Sequence, residues 1–220
     1  MAEGEQDVAQ RSPPTAVGAI DCLCNNCDDN DMAEDDASMK KTFQFDPTHT
    51  RIGFAARHMM VATVRGQFRS YSGTIEVEDD DPTTARADVT IDAASIDTGV
   101  ADRDNHLRSA DFLDVEHHPQ LRFRSTRVEP LEEGRYRVQG ELTIREVTRP
   151  VELTAEVEGP VTDPWGNERA GINLQGRISR SEFGLKWNAL LEGGGAVVAD
   201  QVRLEIDAEV VRAKEPVTAG

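Results

Sequence analysis

The chain has 220 residues, a net charge of −17 at pH 7 and three cysteines, all within the first 38 residues. The acidic balance argues against nucleic-acid binding, which requires a basic face. No apolar run of about 18 residues is present, so the sequence predicts no integral membrane segment.

The first 40 residues form an acidic leader that we expect to be disordered. Residues 1–38 hold ten acidic side chains and one arginine, so they carry −9 and leave −8 for the rest. They offer too few large apolar residues to offset the entropy of ordering. Cys22, Cys24 and Cys27 invite a metal site, but a closed zinc site needs four ligands and no histidine lies nearby. We therefore predict neither metal nor cofactor.

The start of the chain bears on its compartment. Met32 and Met39 are candidates for an alternative start, because each precedes the first strand-like segment. No positively charged start followed by an apolar core marks a secretion signal, so we expect a cytoplasmic protein.

From residue 41 to residue 212, apolar and polar residues alternate in short segments separated by turn signals. Period two predicts strands with one apolar and one polar face, which excludes a doubly wound parallel sheet. About eight such strands must form a sandwich or close into a barrel, and the pattern leaves both open. Glycines inside the strands favour the barrel, since they mark bends and bulges. These glycines are Gly53, Gly66, Gly73, Gly140 and Gly176.

The stretch Ser95–Pro119 is the longest that does not alternate, and it predicts one or two short helices closing the open end of the β structure. Asp104 and Arg108 have the i,i+4 spacing that supports a helix with the acid first. Three residues are candidate N-caps: Asp97, Thr98 and Asp102.

Residues that could carry chemistry are sparse. Asp102, Asp104 and His106 cannot all face one side of a helix at that spacing, so we predict no metal site there. No nucleophile elbow or phosphate-binding glycine loop is present. Arg103 and Arg180, with Arg108, could receive a polar head group or form salt bridges between the cap and the barrel rim.

Four segments stand out in chain order: FDPTHTRIGFAARHMMVATVRGQF, SIDTGVADRDNHLRSADFLDVEHHPQLRFRST, VQGELTIREVTRPVEL and ISRSEFGL. Together they resemble the YceI family of lipocalin-like, polyisoprenoid-binding proteins, from about Thr42 to Val211. We interpret most of the family's recurring positions as fold signatures. They fall on Asp46, His49, Arg103, Asp104, His106, Leu107, Leu142, Thr143, Arg180, Phe183 and Gly184.

The chain departs from the family pattern at three positions. Phe43 and Thr50 stand where many members have Trp and Ser. Glu146 occupies a turn usually written with Gly, and a positive φ at that position would cost about 1 kcal/mol.

The resemblance implies an all-β fold, namely an extended antiparallel lipocalin-like β-barrel of about eight strands with a short helical cap. Together with the composition of the two ends, it divides the chain into a disordered leader (1–40), which is foreign to the family, a barrel domain (41–212) and a flexible C-terminal tail (213–220). It also implies a non-enzymatic carrier or store of an isoprenoid, an isoprenoid quinone or a fatty-acid-like lipid. A solid-core interaction module and an enzyme acting on an apolar substrate are the alternatives, and a homodimer is compatible with the sequence.

The inward apolar rows are our predicted ligand contacts. They comprise Phe54, Phe68, Ile75, Val89, Phe112, Phe123, Val138, Leu153, Leu174 and Leu204. Candidates for a polar mouth are His49, Arg103, His106 and Arg180.

Overall fold

The computed structural model describes residues 39–189 and 196–214. These residues form eleven strands, one α-helix and two 3₁₀ helices. The strands are β1 (Lys40–Phe45), β2 (Arg51–His58), β3 (Ala62–Phe68), β4 (Tyr71–Glu78), β5 (Asp81–Asp92), β6 (Ile96–Asp97), β7 (Gln120–Glu132), β8 (Arg135–Ile144), β9 (Val147–Thr162), β10 (Glu168–Ser179) and β11 (Val198–Arg212). The helices are α1 (Ala101–Arg108) and 3₁₀ helices at Ala93–Ser95 and Arg180–Phe183.

Every strand pairing is antiparallel, and the pairings close into a ring. β1 and β2 both pair with β11, at Phe45↔Val210 and Ile206↔Ile52, so they form one wall interrupted at residues 46–50. In the same way β3 continues into β4, and β5 continues through a 3₁₀ turn into β6. Counting each bent pair as one wall gives eight antiparallel walls around a closed barrel.

Closure confirms the barrel over the sandwich. The β1–β11 pairing joins the first and last strands, so this sheet leaves no open edge there. The alternation predicted from the sequence is seen along β9, where Leu153 and Ala155 are buried and Glu152 and Glu156 are exposed. The buried cores therefore lie inside the barrel.

The predicted helical cap is present as one short α-helix and its flanking turns. The side chain of Asp104 is buried and accepts hydrogen bonds from the Thr98 backbone N–H (2.9 Å) and hydroxyl (2.5 Å). Arg103 donates to the Thr98 hydroxyl (2.7 Å) and carbonyl (3.0 Å). Arg108 donates to the carbonyls of Ala94 (2.7 Å) and Ile96 (2.6 Å). The cap is thus tied to the barrel by side-chain to backbone hydrogen bonds.

Two local predictions about this helix were wrong. The N-cap residue is Val100, which makes no side-chain cap, because Asp97 instead accepts from the backbone N–H of Gly99 at 2.8 Å. The expected Asp104–Arg108 pair does not form, since Thr98 engages the acid and barrel carbonyls engage the arginine. Tertiary partners replaced the local ones in both cases.

The predicted strain at the β8–β9 turn lies one residue earlier. Arg145 has φ of 58°, whereas Glu146 is not in the left-handed region. The cost of a non-glycine residue at positive φ therefore falls on Arg145. Its side chain lies 3.7 Å from Asp114 of the cap segment, which links the turn to the cap.

No helix among the described residues is long and apolar enough to span a membrane. Most of the predicted leader, including its three cysteines, and most of the predicted tail lie outside the described residues, whereas Lys40, the last residue of that leader, belongs to β1.

Candidate binding cavity

The barrel encloses an apolar cavity of about 380 Å³. At the end covered by α1 its lining includes Leu107, Phe112 and Leu185, and at the opposite end it includes Pro82 and Pro160. The volume falls in the range of about 300–1,000 Å³ that is usual for small-molecule sites. The barrel is therefore not the solid-core form that the sequence left open.

The length of the cavity follows from the strands that line it. On β10 the lining runs from Ala170 to Ile178. Eight steps of about 3.3 Å, tilted by about 40°, give about 20 Å along the barrel axis. A single extended chain matches this long, narrow shape better than a compact molecule does.

All ten predicted ligand residues line this cavity. Period two places alternate side chains on one face of a strand, so the inward rows could be identified without knowledge of strand order. That these side chains contact a ligand stays a prediction. The lining also includes residues that the sequence did not single out as ligand contacts, among them Tyr136 and Ser125.

Two glycines let aromatic side chains lie flat against the cavity wall. Gly66 is paired with Phe54 across β2 and β3, and a Cβ on Gly66 would clash with the Phe54 ring. A Cβ on Gly140 would lie 2.5 Å from the ring of Phe123. These close approaches keep both rings against the wall and leave the lumen free. The sequence indicated the glycines as bends but did not reveal this packing.

Of the four predicted mouth residues, only Arg180 lines the cavity. Arg180 is 6% exposed. The guanidinium donates to the carbonyls of Ala199 (3.1 Å), Trp187 (2.9 Å) and Val198 (3.4 Å), and also to that of Leu185. Burial lowers the pKa of Arg180, but an arginine retains its charge because its ordinary value is so high. Arg180 therefore places a buried positive charge at the α1 end and joins the two segments at 185–187 and 198–199.

The other three lie outside the cavity lining. Arg103 is bound to Thr98, as described above. The ring of His106 lies edge-on to Phe112 and Trp187, with centroid distances of 5.1 and 4.6 Å, and its Nε2 lies 3.0 Å from Asp111. Phe112 lines the cavity, so His106 supports the cap through this ring. Periodicity could not show these orientations because both residues belong to the non-strand cap.

His49 belongs to an ionic cluster at the interruption between β1 and β2. Its Nδ1 lies 3.2 Å from Asp46 and 3.7 Å from Glu209. This spacing could hold a cation, but Arg169 already contacts both acids, with 2.8 Å to Asp46. Arg169 also contacts Asp163 at 2.8 Å. The arginine provides the positive charge at this position, and we interpret the cluster as a structural link between loops.

Hydrogen bonds hold the pKa of two cluster acids well below the usual range. For Asp46 the largest contribution is the Thr48 hydroxyl, followed by Arg169. For Asp163 it is the side chain of Asn167, with Arg169 adding to it. Both groups therefore favour the folded state in their charged form.

Comparison with known families identifies the chain. A model of the YceI-like domain matches residues 43–210. The chain belongs to the YceI-like family. A UPF0312 protein of Serratia proteamaculans is 40% identical over 166 residues, which cover 76% of this YceI-like chain and 83% of that relative. The family resemblance read from the sequence is confirmed.

Solved structures share the fold of this YceI-like protein. A Campylobacter jejuni YCEI protein is 30% identical, with a TM-score of 0.63, covering 72% of this chain and 90% of the other. A polyisoprenoid binding domain from Saccharophagus degradans, implicated in plant cell wall breakdown, is 14% identical, with a TM-score of 0.58. That match covers 78% of this chain and 98% of the other, and at this identity it shows the fold alone.

Proposed function

We propose that this protein binds one long-chain lipid in the barrel cavity and acts as a carrier or store without catalysis. The cavity carries this proposal, because it runs along the barrel and is lined almost entirely by aliphatic and aromatic side chains. Burial of apolar surface provides about 25 cal/mol per Å², so a flexible chain needs few polar contacts. The polyisoprenoid-binding neighbour supports an isoprenoid as the ligand class.

The distribution of polar groups supports a chain with a single polar end. The ionisable side chains in the lining include Arg180 at the α1 end and Asp80 at the opposite end. Asp80 is engaged by Lys41 at 2.6 Å. Arg180 donates to neutral carbonyls and forms no salt bridge among the described residues, and Asp200 acts on its charge only from farther away. A negatively charged or carbonyl-bearing head is therefore favoured beside Arg180, with the chain extending away from α1.

An enzyme in the same cavity would need a nucleophile beside a base. Ser125, a hydroxyl in the lining, accepts a hydrogen bond from the Ala87 backbone N–H at 2.8 Å. It thereby stabilises the wall between β5 and β7. Binding is the better-supported function.

The test is native mass spectrometry of the full chain purified from its own host, followed by organic extraction of bound material. We expect a one-to-one adduct that releases an isoprenoid or another long-chain lipid. A protein that is isolated bare, and that also fails to bind isoprenoid quinones and fatty acids on titration, would contradict the proposal.

A further inference from the structure

The hairpin formed by β2 and β3 differs in charge from the rest of the molecule. Residues 51–69 contain four arginines and a histidine but no aspartate or glutamate, in a chain whose net charge is −17. On β2, Phe54 and Ala56 line the cavity, so Ala55 and Arg57 lie on the outer face. Arg65 on β3 is paired with Ala55 and therefore lies on the outer face as well. The hairpin therefore presents positive charge to the exterior of an acidic protein.

Neighbouring strands extend this charge into a row across the outer face. Arg177 on β10 is directly opposite Arg203 on β11, which is opposite Ala55, which in turn is opposite Arg65. Like charges on facing positions destabilise a sheet. Arg65 and Arg203 share one carboxylate, Glu205, at 3.9 and 3.5 Å. The arginine row (Arg65, Arg177 and Arg203) therefore keeps excess positive charge.

The tip of the same hairpin is apolar and exposed. Met59, Met60 and Val61 are 41%, 65% and 81% exposed. Met59 and Met60 have φ of 50° and 62°, a conformation for which hairpin turns favour asparagine and glycine. Two methionines in such a turn cost stability and gain little packing within the chain. A role in contact with an apolar partner would account for them.

The tip also lies beside the α1 end of the cavity. The Met59 N–H donates to the Val197 carbonyl at 2.8 Å, and His58 is paired with Val198. Val198 lines the cavity. A surface bound at the tip would therefore lie close to the cavity end where Arg180 is found.

We propose that the β2–β3 hairpin docks this protein on anionic lipid bilayers. The barrel lies with this face on the bilayer, so that Met60 and Val61 enter the membrane interface and the arginine row meets the lipid headgroups. At physiological salt, charges interact over about 8 Å, so the charges of this face, more than the net charge of the chain, govern its approach to a surface. Docking is independent of whether the cavity binds lipid, but it would place the cavity end at the membrane.

The opposite end of the barrel is also apolar and exposed, but its charge disfavours docking on an anionic bilayer. Leu131, Val161 and Trp165 are also exposed there, at 45%, 62% and 80%. Acidic residues flank them, and repulsion opposes their approach to an anionic surface. These acids are Glu129, Glu132, Glu133 and Glu158.

The experiment is flotation of the full chain with vesicles of phosphatidylcholine alone or mixed in equal parts with phosphatidylglycerol. We expect binding to the mixed vesicles that weakens as salt is raised. Arg65→Gln with Arg203→Gln should weaken it about 30-fold, since each basic residue contributes about fivefold. Met60→Ser with Val61→Ser should weaken it by about tenfold or more, because two partly buried side chains are lost.

Matched controls remove the same groups elsewhere. Arg122→Gln with Arg124→Gln on β7, across the barrel from β11, and Val161→Ser at the opposite end should bind vesicles as the wild type does. The proposal is overturned if the wild type ignores mixed vesicles, if the hairpin variants bind unchanged, or if the controls weaken equally. Binding of polyglutamate in place of vesicles would identify a site for acidic proteins and also overturn it. Cavity loading, measured with detergent-solubilised lipid, distinguishes a docking failure from a failure of lipid binding.

Discussion

Blocking the cavity at Ala155 is the sharpest test of where the ligand lies. Ala155 is 3% exposed, lines the cavity, and is paired with Tyr136 and Leu174 on the neighbouring strands. Ala155→Phe adds a phenyl ring, and a cavity that accommodates benzene measures about 150 Å³. Against a cavity of about 380 Å³, the ring removes roughly two fifths of the space.

The expected loss of affinity follows from this volume. At about 30 Å³ for each non-hydrogen atom, the ring displaces about five ligand carbons. Each buried methylene contributes about 0.8 kcal/mol, so a chain that fills the cavity loses up to about 4 kcal/mol, or nearly three orders of magnitude. A chain shorter by about five carbons should lose almost nothing. The variant therefore changes selectivity for chain length.

The assay is titration of wild-type and variant protein with a series of lipids that differ only in chain length. Glu156→Phe is the matched control, because it places the same ring on the exposed outer face of β9. Overpacking costs the Ala155 variant about 1–3 kcal/mol of stability, so its folding is checked by chemical denaturation. If the folded Ala155 variant binds both long and short lipids as tightly as the wild-type protein does, the cavity is not the binding site.

Three further predictions concern stability. Arg180→Leu deprives four carbonyls of their donor and should lower the free energy of unfolding by about 3 kcal/mol, as measured in urea. Arg180→Lys should recover only part of it, since an ammonium lacks the guanidinium fork. Gly140→Val should cost about 1–3 kcal/mol and drive the Phe123 ring into the lumen, which weakens lipid binding. Asp163→Asn should lower stability at neutral pH and reduce its loss in acid.

The sign of the acid prediction follows from the depressed pKa of Asp163. Its contribution is present above the unfolded value of 3.8 and is lost as pH falls toward the lower folded value. Urea midpoints at neutral pH and at pH about 3 measure the difference. Equal acid dependence in the wild type and the Asp163 variant would contradict this prediction. Full recovery of stability by Arg180→Lys would contradict the prediction for Arg180, and an unchanged urea midpoint for Gly140→Val would contradict the prediction for Gly140.

The sequence determined the strands and the face that each presents to the interior. Alternation is a local property, so Leu153 and Leu174 could be placed on inward rows without knowledge of their neighbours. The family motifs then selected the barrel. The mouth residues could not be placed in this way, because the orientation of His106 depends on Trp187, which follows it by 81 positions.

Tertiary structure alone decided ring closure, the open cavity and the charge on the outer face. The arginine row contains Arg65 and Arg177, which are separated by 112 positions and fall in one row across the sheet only because β11 and β2 lie between their strands. Local pattern assigns a residue to a face, but strand order and register decide which residues share that face. The cavity has the same origin, since its volume depends on how Phe123 lies against Gly140 across two strands.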